Sequence, residues 1–460
     1  MNCRQSSTFS SSMNRTSRFR SAALHVLVVS LMLLGGSSSS NAAASFDVND
    51  VSFLWPVPKN ANDVKELISA DDKLNDGTPM WSTDVFKQVM NQAQTVKVGT
   101  HQIGFPNNTF TDPHNWKVVW IRVNPSALGT SEALLKQLPQ IPGIRLIVQP
   151  VTVDAGGNVK VHDFTAHVVF NYVKQVTAAT TPASSLLPDK DAFRCVIKSL
   201  EEIKAQVEAK IPTVGDLNIH PGFASDLPGL RDSLRSFLAK HLNSARLDAV
   251  SFMGIPKQFE PWIFFGIKKQ SNGQFAVRTV SGNFTPPGPT SQMLSFASSP
   301  SVEPAQTLDA AKGLTTASTA LLFDGSNDNV KARLETPLFP GTTDPQLAKL
   351  KFGNIPDLIA NPERNNTLTT DCVSCHTEST RRADLGIASD PSVAFQRPAG
   401  ISGVAKAMLP KDKWNVRDFG WFPRGATELT ITQRAANEAA ESADFINRNY
   451  LNTTAPTSCL

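Results

Sequence analysis

Apolar and polar positions recur with two different periods along this chain, and the switch between the periods marks out its elements. From Trp116 to Val123 both parities are mostly apolar, which predicts a strand buried on both faces, with Val118, Trp120 and Arg122 sharing one of them. Ile144 to Val153 predicts a second strand. It leads through Asp154-Ala155-Gly156-Gly157-Asn158, a turn of residues that tolerate positive φ, into a third over Val159 to Val173. In that third strand Phe164, Ala166, Val168, Phe170 and Tyr172 form a core-facing row, and His167 falls on the other face. His162 and His167 differ in parity, which argues against a shared metal and reads both as surface histidines.

The period then lengthens. Phe193, Val196, Ile197, Leu200, Ile203 and Val207 repeat at helical spacing until Pro212. A second helix is expected to open at Asp226, with Pro228 in its first turn and Leu230, Leu234, Phe237, Leu238 and Leu242 on its buried stripe. Earlier in the chain, Thr83 to Ala93 predicts a short helix and Phe53-Leu54-Trp55-Pro56 a short buried segment. Strand character returns at Leu247 to Met253. Trp262 to Lys269 and Gln274 to Val280 then flank Ser271-Asn272-Gly273, where Asn-Gly predicts a hairpin. Strand, strand, helix, helix, strand, hairpin is the order of an α+β domain with a mainly antiparallel sheet.

Residues 282–304 carry five prolines among small polar residues, the composition of an extended linker. The organisation read from the chain is therefore a leader over 1–44, an α+β domain over 45–281, the linker, and a second domain over 305–460. In that second domain Leu308 to Phe323 is expected to be helical, and Pro337 to Thr370 to run as loops. Thr430 and Gln433 read as a capping box for a last helix that lines Ile431, Ala435, Ala439, Ala443, Ile446 and Tyr450 along one face. Alanines on that face allow another element to approach closely.

Composition changes the picture at the N-terminus. Arg4, Arg15, Arg18 and Arg20 precede a mostly apolar run from Ala22 to Leu34, too short to span a bilayer. A Gly/Ser segment and Ala42-Ala43-Ala44 follow, the pattern of a secretory signal with a small-residue cleavage site. The whole chain has 44 basic and 40 acidic residues; without the leader's four arginines the two signs are equal. Zero formal charge gives no reason to expect nucleic acid or an anionic membrane as a partner.

The candidate chemistry lies in Asp371-Cys372-Val373-Ser374-Cys375-His376. Two cysteines two residues apart with a histidine directly after the second are the pattern of covalent haem attachment: each thiol forms a thioether with one vinyl group, and the imidazole follows as proximal iron ligand. A redox dithiol, a local disulfide or half of a zinc site are the competing readings. Zinc would need two more ligands, yet His376 is the only histidine after His241. Export supports the haem reading, because haem is attached covalently outside the bacterial cytoplasm. With Cys372 and Cys375 so engaged, Cys195 and Cys459 remain, and an oxidising compartment favours a disulfide between them.

From roughly Pro356 onward the chain resembles a c-type cytochrome domain, on Cys372, Cys375 and His376, a later methionine and a C-terminal helix. The resemblance implies a mostly α C-terminal domain with one covalent haem c and methionine as second iron ligand. Met408 is the only methionine after Met293. Trp414, Phe419, Trp421 and Phe422 would wall the macrocycle, and Arg417, Arg424, Arg381 or Arg382 would pair with its propionates. Asn361-Pro362, followed by Asn365-Asn366, predicts that no helix runs into the motif here, unlike the usual family pattern. The function expected is that of an exported monohaem cytochrome, periplasmic, secreted or at the cell surface, passing single electrons to a redox partner protein. The alternatives are a haem enzyme or gas or redox sensor with an open iron position, and a surface-binding protein with an accessory haem. No catalytic residues are assigned.

Overall fold

The computed structural model describes residues 45–95, 97–98, 101–102, 110–126, 141–162, 164–174, 187–254, 263–270, 272–278, 291–292, 355–363, 378–379, 382–383, 386, 388–409, 419–421, 429–451, 453 and 459. The leader, most of the 282–304 stretch, the expected 308–323 helix and the Cys372-to-His376 motif lie outside these residues. Residues 43–460 form one compact unit.

In chain order, β1 (Ser52–Leu54) is followed by α1 (Ala61–Lys65), α2 (Thr83–Thr95) and the two-residue strands β2 (Lys97–Val98) and β3 (His101–Gln102). The long strands β4 (Trp116–Asn124) and β5 (Gly143–Val153) come next, then β6 (Val159–Val161) and β7 (Phe164–Asn171). Helices α3 (Lys190–Glu208), α4 (Pro221–Ala224) and α5 (Leu230–His241) precede β8 (Leu247–Gly254), β9 (Ile263–Lys269), β10 (Phe275–Arg278) and β11 (Ser291–Gln292). The described C-terminal elements are α6 (Ile355–Ala360), a 3-10 turn at Lys406–Met408, β12 (Phe419–Trp421), β13 (Leu429–Ile431) and α7 (Gln433–Asn449).

Nine of the described strands form one sheet in the order β1-β4-β5-β7-β8-β9-β10, with β6 added to β5 and β11 to β9. All its pairings are antiparallel, as the α+β pattern required. The turn from β5 to β6 closes as its residues dictate: Asp154 Oδ1 accepts from the amides of Gly156 (2.9 Å) and Asn158 (2.8 Å), and Gly157 takes φ 83°. Val159 to Val173 is not one strand but two, β6 and β7. Within 282–304, the described pair Ser291 and Gln292 is not free chain but registers against Phe265 and Phe264 of β9.

Simple alternation fails in β4. Val118 registers with Val148 and Trp120 with Ile147, so Val119 is an extra residue. Neighbours on β5 point to opposite faces, so this bulge places Val118 on the face opposite to Trp120 and Arg122 rather than beside them.

The helical stripes are core. Phe193, Val196, Ile197, Leu200, Ile203 and Val207 of α3 are all buried, as are Leu230, Leu234, Phe237, Leu238 and Leu242. Each such side chain contributes roughly 1.5–3 kcal/mol when fully buried. The second helix begins at Leu230, not Asp226. Asp226 (φ 49°) and Gly229 (φ 81°) are left-handed, so the residues before Leu230 form a turn that helical dihedrals cannot include. The last helix also starts later than the capping box implied. Thr430 is taken into β13 by pairing with Gly420, and Thr432 caps α7 by accepting from Ala435 N at 3.0 Å.

Ala435, Ala439, Ala443 and Ile446 of α7 are buried in the core cluster that also holds Phe46, Phe53, Trp120 and Phe193. Asn447 clasps the backbone of Phe46 at both its N–H (2.7 Å) and its C=O (2.9 Å), and the Tyr450 ring meets Phe193 at 5.4 Å. Cys195 on α3 is disulfide-bonded to Cys459, with their Cα atoms 5.2 Å apart, so the C-terminal end is tied to the same helix.

Candidate functional site

The described residues nearest the haem motif are Glu378 and Ser379, and both are spent on the first turn of α7. Ser379 Oγ accepts from Gln433 N (2.8 Å) and Glu378 Oε1 from Arg434 N (3.0 Å), while Ser379 Oγ donates to Glu378 Oε1 (2.6 Å). Helix N-termini leave amides without intrahelical partners, and a carboxylate there also meets the positive end of the helix dipole. Glu378 is fully buried, and burial raises its pKa to about 6 despite the hydrogen bonds from Ser379 and Arg434, which pull it down.

The stretch before the motif is held by the same helix. Arg434 Nη1 donates to Ile359 O (2.9 Å) and Asn437 Nδ2 to Ala360 O (2.7 Å), satisfying carbonyls at the end of α6. That helix stops at Ala360, directly before Asn361-Pro362, as those residues predict. Asp357 in its first turn accepts a two-pronged bond from Arg382 (2.6 and 3.2 Å), together with Ser389 Oγ (2.9 Å) and Asp390 N (2.6 Å). The Arg382 guanidinium is therefore engaged by Asp357, which removes it as the natural partner of a propionate. Arg381, Arg417 and Arg424 lie outside the described residues.

Met408 closes the 3-10 turn and is 7 % exposed, with its side chain in the common core. The turn packs on β13, and the chain leading to it is pinned from two sides. Leu217 and Ala405 exchange backbone bonds with this segment (Leu217 N to Gly403 O 2.8 Å, Ala405 N to Leu217 O 3.1 Å), and Ser402 N donates to Asp47 Oδ1 at 2.7 Å. Met408 thus sits against the strand that runs directly into the α7 turn capped by Glu378 and Ser379. Strand β12, which carries Phe419 and Trp421 of the expected aromatic wall, lies alongside β4 and β5 and pairs with β13.

Beneath α7 is a group of charges that sequence reasoning missed. Arg122 is 2 % exposed; its Nη2 donates to Glu438 Oε2 (2.9 Å) and Ala435 O (3.3 Å), and its Nη1 is buried without a hydrogen-bond partner. Arg434 Nε donates to the other Glu438 oxygen at 2.7 Å, and Arg145 stands across from Arg122 in the β4–β5 register. Burial alone would raise the Glu438 pKa, but Arg434, Arg122 and Arg145 outweigh it and hold the carboxyl at about 2. The signal available in the sequence was a lone arginine inside an apolar strand, which needs a buried partner.

The N-terminal histidines are engaged elsewhere. His114 faces Asp71 (3.2 Å), His162 bonds Thr152 Oγ1 (2.7 Å) and His241 bonds Ser199 Oγ (2.8 Å). His220 accepts from Gly222 N and stacks on Phe53 at 4.8 Å. His162 and His167 are half-buried rather than surface residues; the Phe110 ring covers His162 at 4.9 Å. Among the described residues no group of three or more His, Cys, Asp or Glu is placed to hold a metal ion, and no helix is long and apolar enough to cross a membrane.

The site-bearing segments thus meet around α7 and the β4–β5 face, from parts of the chain more than 300 residues apart. Comparison with protein-family models, with characterised proteins and with solved structures gives no match for this chain.

Proposed function

We propose that the protein is an exported c-type cytochrome with one covalent haem, in a mostly α cytochrome c-like region of the C-terminal half, which carries single electrons between partner proteins. The observation that carries this reading is the use of cysteine. Four cysteines follow the leader; Cys195 and Cys459 are bonded to each other, which leaves Cys372 and Cys375 beside His376 as the remaining pair. A disulfide also suits the oxidising compartment to which the leader would deliver the chain.

When bound, the haem supplies reversible one-electron exchange at its iron. Cys372 and Cys375 would hold the porphyrin through thioethers, His376 would hold the metal on one side and Met408 on the other. Met408 is the natural second ligand because it is buried in a pinned turn, and because His114, His162, His220 and His241 already have partners. A thioether opposite imidazole favours the reduced state and raises the potential. Glu378, Ser379 and Asp357 brace the chain on either side of the motif against α6 and α7. A rigid mount limits rearrangement between oxidation states, which is what an electron carrier requires.

The test is a denaturing gel of the mature protein stained for haem peroxidase activity, beside Cys372→Ala. Covalent haem in the wild type and its loss in the variant are expected. A colourless wild type with free or mutually oxidised Cys372 and Cys375 refutes the proposal. An oxidised optical spectrum without the thioether signature would remove Met408 from it.

A further inference from the structure

The Arg122 guanidinium is only half used. Its Nη2 reaches Glu438 and the Ala435 carbonyl, while Nη1 is buried and makes no hydrogen bond. Leaving a buried donor unmade costs about 1–3 kcal/mol, and more when the donor is charged. The neighbourhood adds to the oddity. Arg145 lies directly across the strand pair, where like charges are unfavourable, and Arg434 approaches from α7, so three guanidiniums gather around the single Glu438 carboxylate. A fork-shaped donor aimed from such a cationic surround fits a second carboxylate.

The position says which carboxylate. Glu378 and Ser379, two and three residues beyond His376, cap α7 at Gln433 and Arg434. Ala435 and Glu438, which Arg122 touches, lie within about one helical turn of that cap, some 5–6 Å along the axis. The backbone of β12 passes alongside β4 and β5 at the same end of the sheet. A porphyrin bonded just upstream of Glu378 carries two propionates on the edge away from its thioethers, and Arg382, the described arginine nearest the motif, is bound to Asp357. We propose that Arg122 Nη1 receives a haem propionate, so that the N-terminal sheet supplies part of the haem site. This rests on the cytochrome reading above.

The test uses the mature holoprotein and its Arg122→Gln and Arg122→Lys variants, compared by haem-stained gel and by resonance Raman spectroscopy of the propionate bending bands. Both variants should retain covalent haem, with shifted propionate bands and a lowered midpoint potential, because a buried cation or its directed donor has been removed. Lysine keeps a cation for Glu438 but not the second prong, so it carries the test if the glutamine variant does not fold. Unchanged bands in a folded variant that stains for haem would overturn the assignment while leaving the cytochrome reading intact. Inorganic phosphate titrated into the wild type is the second arm: if it raises the melting temperature only when Arg122 is present and the bands never shift, the seat takes a free oxyanion and the assignment is wrong. A colourless wild type overturns both readings together.

Discussion

Glu438→Gln is the most direct probe of the junction between α7 and the sheet. The carboxyl falls from an ordinary 4.5 to about 2 in the folded protein, held down by Arg434, Arg122 and Arg145 against the opposing effect of burial. Its side chain is 12 % exposed, so solvent screening is slight. Because the folded pKa is the lower one, the stabilisation is present above the unfolded value and is lost as pH falls through the folded value. A shift of this size corresponds to about 3 kcal/mol at pH 7, and by linkage to about 1.4 kcal/mol at pH 3. Glutamine keeps the shape but leaves Arg122 and Arg434 without an anion, and breaking one side of a buried pair commonly costs about 3–5 kcal/mol. Urea unfolding of both proteins at pH 7 and at pH 3 checks this. The wild type should be more stable by at least about 3 kcal/mol at pH 7, and the gap should narrow by about 2 kcal/mol at pH 3. Taking the difference cancels the acid sensitivity of every other group. An equal gap at both pH values would mean that the loss comes from packing and that the charge argument is wrong.

Two further outcomes follow from burial and from chain connectivity. Burial lowers the His220 pKa to about 3, so the ring is neutral in the fold. Its stabilisation is complete above the unfolded value near 6.5 and is lost as pH falls from there towards 3; in His220→Asn the decline between pH 7 and pH 5, measured by urea unfolding, should be smaller by about 2 kcal/mol. Identical pH profiles would show that His220 does not titrate on unfolding. The Cys195–Cys459 bond closes a loop across 264 residues. Cys195→Ser should cost about 2–5 kcal/mol in unfolding free energy, with wild type under reductant behaving like the variant. A reductant-insensitive melt equal to that of the variant would count against the bond in the native protein.

Local pattern was enough for elements whose own residues decide them. The period of Phe193 to Val207 placed α3, Asn272-Gly273 placed the β9–β10 hairpin, and the alternation of Phe164 to Phe170 placed β7 and its buried row. The α+β class and the antiparallel sheet followed from that order. Starts and faces were less legible where a neighbour takes over: Thr430 joins a strand because β12 lies beside it, and Val119 bulges because β5 offers one residue against two.

The haem motif, the leader and the leftover cysteine pair could be read from the residues alone, since covalent chemistry depends on residue type and spacing. Which cationic groups stand near that motif could not. Arg122 and Glu438 are separated by 316 positions, and nothing in either segment names the other. Only the packing of an alanine-faced helix against a strand with one internal arginine brings them together, because the cost of burying each charge is met by contact with the other.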